Sequence, residues 1–182
     1  MINYIFKFMT IAVVMTPFYL LIRRPFKRSG KREAALAVFV LFTMALLVLA
    51  FEGDYSRPSV MVRNAGQRIR DGERINLIPF RTIGTFFRHF IPDVFLVNIV
   101  GNIVMFMPWG FGLVLLWKRN QSIGRALLLC FLITVLIETV QLFIGRSVDV
   151  DDLILNFFGG CMGAALCMGL KKKLKVLEEF AR

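Results

Sequence analysis

Long apolar stretches, separated by shorter polar ones, make up most of the chain. They cover residues 2–22, 34–51, 94–117, 126–144 and 153–170. An α-helix needs about 20 apolar residues to cross the hydrocarbon core of a bilayer, so each stretch has roughly the length of one crossing. The pattern therefore predicts an all-α fold, a polytopic membrane helix bundle with five transmembrane helices.

The longest polar segment, residues 52–93, joins the second and third apolar stretches. Its turn signals are Arg57-Pro58, Asp71-Gly72 and Ile91-Pro92. In its last part, apolar residues recur at helical spacing opposite polar ones: Ile83, Phe86, Phe87, Phe90 and Ile91 against Thr82, Thr85, Arg88 and His89. This spacing predicts a short amphipathic helix that lies in the membrane interface instead of crossing it.

Composition supports a membrane protein, and the charge indicates its orientation. Of the 182 residues, 57% are hydrophobic and only 19% are charged, and the mean hydropathy is +0.68. The net charge of +11 falls on residues 23–33, 118–125 and 171–182, because acids and bases balance in the other polar segments. Basic segments stay cytoplasmic, so we expect the N-terminus outside and the C-terminus inside, with no nucleic-acid partner. In a signal peptide the basic residues precede the apolar stretch. Here they follow it, so we expect residues 2–22 to be a retained helix.

Polar side chains recur near the predicted outer ends of three spans. They are Asn98 and Asn102 in the third span, Glu138 and Gln141 in the fourth, and Asn156 in the fifth. A charged side chain near the middle of a span costs about 2.5 to 3.5 kcal/mol, so Glu138 needs a partner or a purpose. The amides either form hydrogen bonds that fix helix packing or belong to a polar site.

The short loop between the fourth and fifth spans lies above this level and is charged. It contains Arg146, Asp149, Asp151 and Asp152. The last two residues stand at the start of the fifth helix, where a carboxylate can cap free backbone N–H groups. The three aspartates are also candidate ligands of a divalent cation. Glu138, one to two turns below, either stays protonated or pairs with Arg146.

Small residues predict how the helices pack. Gly159 and Gly163 have the G-x-x-x-G spacing that lets two helices approach closely, and we expect them to pack inside the bundle. Pro108 is expected to kink the third span.

Other chemistry is sparse, and whether the chain is an enzyme stays open. The cysteines, Cys130, Cys161 and Cys167, lie in apolar stretches without metal-ligand spacing, and His89 has no nucleophile near it in sequence. Motifs for serine–histidine catalysis, zinc hydrolysis and phosphate-binding glycine loops are absent. No cofactor is identified. Acid or metal chemistry that uses Glu138 with the aspartates is the remaining route to catalysis.

Four groups of these residues resemble the signature of the VanZ-like family. Residues 76–80 read N-L-I-P-F, similar to its N-L-x-P-F element, and residues 98–110 match N-x-x-x-N-x-x-x-F-x-P-x-G. Residues 138–141 match E-x-x-Q, and residues 146–159 match R-x-x-D-x-x-D-x-x-x-N-x-x-G. The elements follow one another in the family's order over residues 76–163. Residues 1–51 carry no such element.

The resemblance implies a bacterial cytoplasmic-membrane protein related to an accessory determinant of teicoplanin resistance. Residues 1–51 would form two N-terminal helices with a basic cytoplasmic loop, and residues 52–93 would form an extracellular or interfacial loop. Residues 76–170 would form the VanZ-like core with three transmembrane helices, and residues 171–182 would form a basic cytoplasmic tail.

Our main hypothesis is an outer-leaflet polar site that lowers susceptibility to teicoplanin and other lipoglycopeptides. Its partner would be membrane lipid, a lipid-linked envelope precursor or the lipoglycopeptide itself. Arg146 would meet an anionic headgroup, Glu138 would be a buried acid or hydrogen-bond hub, and Asp149 and Asp152 would meet a cation. The site residues are Asn98, Asn102, Glu138, Gln141, Arg146, Asp149, Asp152 and Asn156.

Two alternatives remain at this point. One is a membrane-embedded hydrolase or transferase that acts on a lipid-linked envelope precursor, with a divalent cation held by Asp149, Asp151 and Asp152. The other is a structural protein in which the polar residues serve only helix packing. The sequence does not predict an oligomeric state.

Overall fold

The computed structural model describes residues 30–53 and 55–180, and it is mostly helical. Its main helices are α1 Gly30–Ala50, α2 Pro58–Asp71, α3 Arg81–Arg88, α4 Pro92–Leu116, α5 Ile123–Phe143 and α6 Val150–Lys173. Of these, α1, α4, α5 and α6 are long and apolar enough to cross a membrane. They correspond to the last four predicted spans. The predicted span at residues 2–22 lies outside the described residues.

The segment between α1 and α4 has more regular structure than the sequence predicts. Helix α2 was not predicted; it begins at Pro58, which suits a first helical turn, and ends at Gly72, whose φ of 66° is left-handed. Helix α3 lies within the predicted amphipathic segment, but it ends at Arg88, so Phe90 and Ile91 are not part of it. Its position at a membrane interface stays a prediction.

Close packing of α4 against α6 forms the centre of the bundle. A Cβ atom at Gly159 would overlap the backbone of Ile103, and one at Gly163 would overlap the backbone of Met107. Gly110 of α4 lies equally close to the backbone of Gly160. Glycine is therefore required for this helix spacing, and the predicted packing of Gly159 and Gly163 inside the bundle is confirmed.

Helix α4 departs from regular geometry near its start. Residues Leu96–Val100 form a π-helical turn, and the α-helix then continues from Gly101 to Leu116 without a break at Pro108. A π-helical turn contains more residues than an α-helical turn, so it changes the faces on which the following side chains lie.

The two ends of the bundle differ in character. At one end, Lys31 pairs with Glu179 at 3.4 Å and Lys171 Nζ donates to the carbonyl of Val114 at 2.9 Å. At the other end, Arg146 contacts the last turn of α1 through the carbonyl of Leu49. The loop between α5 and α6 thus lies opposite the basic end.

Candidate functional site

A cavity of about 290 Å³ lies at the end of the bundle that carries Arg146. It is bounded by α1, α4, α5 and α6, whose ends meet there. All the predicted site residues except Asp149 line it: Asn98, Asn102, Glu138, Gln141, Arg146, Asp152 and Asn156. Polar residues that lie up to 58 positions apart in sequence therefore share one pocket, as their common depth in the spans predicted.

The most buried polar atoms of this pocket lack hydrogen-bond donors. Glu138 and Asn156 are each only 6% exposed. Glu138 Oε2 accepts a long hydrogen bond of 3.4 Å from the backbone N–H of Asp149. Glu138 Oε1 and Asn156 Oδ1 have no partner in the described part of the chain. Buried polar groups are normally hydrogen-bonded, so these two oxygens are exceptions that call for an explanation.

Arg146 lies at the exposed mouth of the pocket and does not pair with Glu138. Its Nη1 donates to the carbonyls of Leu49 and Glu52, at 3.3 Å each. Among the described residues, ion pairs join Lys31 to Glu179 and Arg32 to Glu33, and neither pair includes Arg146. The alternative in which Glu138 forms an ion pair with Arg146 is therefore wrong.

The amides divide into two groups by their partners. Asn102 Nδ2 donates to Asp152 Oδ1 at 2.9 Å and joins α4 to α6. Gln141 Nε2 donates to the carbonyl of Ala50 at 3.0 Å and joins α5 to α1. Asn102 and Gln141 therefore form the interhelical hydrogen bonds that were one of the two predicted roles of the amides. Asn98 does not, because its Nδ2 donates at 2.8 Å to Val94 of its own helix.

Asp149 belongs to the loop above the pocket and is satisfied there. Its side chain caps α6 by accepting from the backbone N–H of Asp151 at 2.9 Å. It also accepts from Asn76 Nδ2 at 2.9 Å and from the Thr82 hydroxyl at 2.5 Å. The predicted caps of α6 were Asp151 and Asp152, so that interpretation is wrong in detail.

Asp151 caps a different helix. It is fully buried, and its carboxylate accepts from the backbone N–H groups of Phe80, Thr82 and Ile83 at 2.5, 2.7 and 3.0 Å. These groups form the start of α3, where free N–H groups favour a negative charge. Asp151 therefore fixes α3 against the start of α6.

A short parallel pairing completes this link. Ile75 and Asn76 form a strand, β1, that pairs with a second strand, β2, at Val148 and Asp149. So short a pairing leaves no recognisable signal in the sequence. It explains, however, why residues 76–80 and 146–152 contribute to one signature, since they contact each other directly.

The three aspartates engage separate partners. Asp149 and Asp151 accept three hydrogen bonds each, and Asp152 accepts one from Asn102. Within residues 30–53 and 55–180, no three His, Cys, Asp or Glu side chains are grouped so that they could hold a metal ion. Asp149 and Asp151 thus serve the loop, and Asp152 is the aspartate that lines the pocket.

The pocket also has apolar walls that sequence reasoning did not assign to it. Leu46, Leu49 and Ala50 come from α1, and Val97, Met105 and Phe106 come from α4. Nothing in the pattern of an apolar span distinguishes a wall residue from any other, so only the fold identifies them.

Comparison with known protein families identifies a segment of the chain that contains the pocket and the loop above it. A family model described as VanZ/LLP1 matches residues 36–172. The chain belongs to the VanZ/LLP1 family. This match confirms the resemblance seen in the motifs and extends it to α1, in which no VanZ element was recognised. Every residue of the pocket and of the loop above it lies within the VanZ/LLP1 segment. No curated protein and no solved structure matches the chain.

Proposed function

We propose that this VanZ/LLP1 protein is a multi-pass protein of the bacterial cytoplasmic membrane that binds an envelope component in its polar pocket. Binding there lowers susceptibility to teicoplanin and related lipoglycopeptide antibiotics. The proposal combines the family, four helices of membrane-spanning length and the pocket between their ends.

One observation carries the assignment of the pocket. Motif residues from three different helices line a single cavity, and two of their buried oxygens, on Glu138 and Asn156, have no donor among the described residues. Residues that served only helix packing would be expected to satisfy one another, as Asn102 and Asp152 do.

Charge supports an outer position for the pocket. The lysines and arginines at residues 118–119 and 171–173 lie at the bundle end opposite to Arg146. Basic span ends remain in the cytoplasm. On this orientation, the pocket opens toward the outer leaflet, where wall precursors and lipoglycopeptides are present.

Teicoplanin susceptibility tests the proposal. A sensitive bacterial host would express the wild type, Glu138→Gln or Thr139→Ala, with membrane levels of each protein measured by immunoblot. Thr139 is the matched control, since it neighbours Glu138 on α5, is exposed, and its hydroxyl donates to the carbonyl of Val135 in its own helix.

We expect wild type and Thr139→Ala to protect the host and Glu138→Gln to fail at equal membrane level. A wild type that gives no protection would contradict the resistance proposal. Full protection by Glu138→Gln would contradict the role of the pocket in it.

A further inference from the structure

We propose that the pocket binds a primary ammonium group linked to a phosphate, as in an ethanolamine-type lipid headgroup, with the ammonium beside Glu138 and Asn156. This inference rests on the proposed function only in taking the pocket as a binding site. It is independent of any effect on antibiotics.

The floor of the pocket selects for a cationic donor. Glu138 Oε1 and Asn156 Oδ1 are buried acceptors without partners, and both residues line the cavity together with Asp152. An unpaired carboxylate in an apolar setting is unfavourable, and a positive charge beside it offsets that cost. A primary ammonium carries one positive charge and three N–H donors, so it has enough donors for both oxygens.

The mouth of the pocket selects for the opposite charge. The guanidinium of Arg146 lines the cavity and has carbonyl partners only, among the residues that the structure describes. Its remaining N–H groups can bind phosphate oxygens, for which the planar guanidinium is well suited. Acceptors at the floor and a cation at the mouth fit a ligand whose ammonium and phosphate are linked.

The walls indicate how the ligand enters. Leu49 and Val97 line the cavity from α1 and α4, yet they are 36% and 70% exposed. Exposed wall residues on both helices favour a lateral opening of the pocket between α1 and α4, toward the apolar surroundings of the bundle. Such an opening suits an amphiphile whose chains stay in the bilayer while its headgroup enters.

The size of the cavity limits what can occupy it. Its volume of about 290 Å³ is just below the range of small-molecule pockets, roughly 300 to 1,000 Å³. A headgroup fits within it, whereas a whole lipoglycopeptide does not. This favours a lipid headgroup over the antibiotic as the group that enters.

Lipid binding by the purified full-length protein tests the inference. The protein in a non-ionic detergent would be titrated with dioleoyl phosphatidylethanolamine, phosphatidylcholine or phosphatidylglycerol, and bound lipid counted by native mass spectrometry. Phosphatidylcholine keeps the charges but has no N–H donor, and phosphatidylglycerol lacks the cation. We expect the ethanolamine lipid to bind at least about tenfold more tightly than either, since a site with unpaired buried acceptors rejects a ligand that lacks the donors.

Variants assign the two ends of the site. Glu138→Gln is expected to abolish the preference for the ethanolamine lipid over the choline lipid. Arg146→Gln is expected to weaken the binding of all three phosphate-containing lipids alike. Thr139→Ala is the control and is expected to bind as the wild type does.

Several outcomes would overturn the inference. These are equal binding of the ethanolamine and choline lipids, an unchanged preference in Glu138→Gln, or Glu138-dependent stabilisation by Na⁺, Mg²⁺ or Ca²⁺ without any lipid preference. Equally tight binding of soluble phosphoethanolamine would support the ammonium and phosphate chemistry but overturn a lipid source.

The two proposals fail separately. Loss of resistance in Glu138→Gln without a lipid preference would refute the headgroup and retain the proposed function. A lipid preference without any protection of the host would refute the antibiotic phenotype and retain the headgroup.

Discussion

Asp151→Asn tests whether the buried carboxylate holds α3 in place. The substitution keeps the shape of the side chain but removes its charge and replaces one oxygen with an NH₂ group. Oδ1 accepts from Phe80, and Oδ2 accepts from Thr82 and Ile83. In either orientation of the amide, at least one backbone N–H therefore faces a donor in place of an acceptor.

The size of the effect follows from these three contacts. Hydrogen bonds to a charged group contribute about 1.5 to 3 kcal/mol each. Losing one of them and weakening the other two gives a loss of roughly 2 to 4 kcal/mol in the local stability of α3. At 1.4 kcal/mol per factor of ten, local opening becomes about 30 to several hundred times more frequent.

Amide hydrogen exchange of the protein in lipid nanodiscs measures this directly. We expect the peptide covering residues 76–88 to exchange faster by that factor in Asp151→Asn, with α4 and α6 unchanged. Asp93→Asn is the matched control, because Asp93 is an exposed carboxylate in the first turn of α4. Unchanged exchange at Phe80, Thr82 and Ile83 would refute the anchoring role, and equal acceleration throughout α6 would show that the effect is global.

Three further predictions concern packing, the pocket and topology. Gly163→Ala should lower the free energy of unfolding in detergent by about 1 to 3 kcal/mol, because the added Cβ atom would meet the backbone of α4. Gly169→Ala is the control and should leave the stability unchanged, because its added Cβ atom would have no neighbouring atom within 4 Å. Equal melting temperatures of the two variants would contradict the close packing. Asn102→Leu should cost about 1 to 3 kcal/mol in the same assay, because it leaves the partner carboxylate on α6 without its donor, and unchanged stability would argue against that bond. In intact cells, an impermeant maleimide should label Ser147→Cys but not Gln121→Cys, both exposed positions at opposite ends of α5; the reverse result would invert the topology.

The four described spans were predictable because length and hydropathy alone determine them. Helix α2 was not predicted, although Met61, Ala65 and Ile69 recur at helical spacing, because residues 58–71 are mostly polar and only Ala65 among them is buried. Tertiary contacts at its ends, such as the hydrogen bond from Arg68 to the carbonyl of Leu142, are not visible in a local pattern.

The pocket was predictable to the extent that depth along a helix can be counted. Counting residues from the span ends brings Glu138, Gln141 and Asn156 to one level, and the structure has them in one cavity. The partners of the aspartates could not be predicted, since Asp151 contacts backbone groups 68 to 71 positions away. Asn98 also lines the cavity, as its spacing from Asn102 predicted, but its amide bonds to Val94 of its own helix and not to a neighbouring helix.

The contacts of Asp151 also set an order of assembly during synthesis. The ribosome produces residues 76–88 about 70 residues before the carboxylate that fixes them, and α4 before the glycine face of α6 that packs on it. Until α6 has entered the membrane, the start of α3 keeps N–H groups that only water or lipid headgroups can satisfy. A truncated chain that ends before α6 should therefore expose this segment to proteases, while the complete chain protects it.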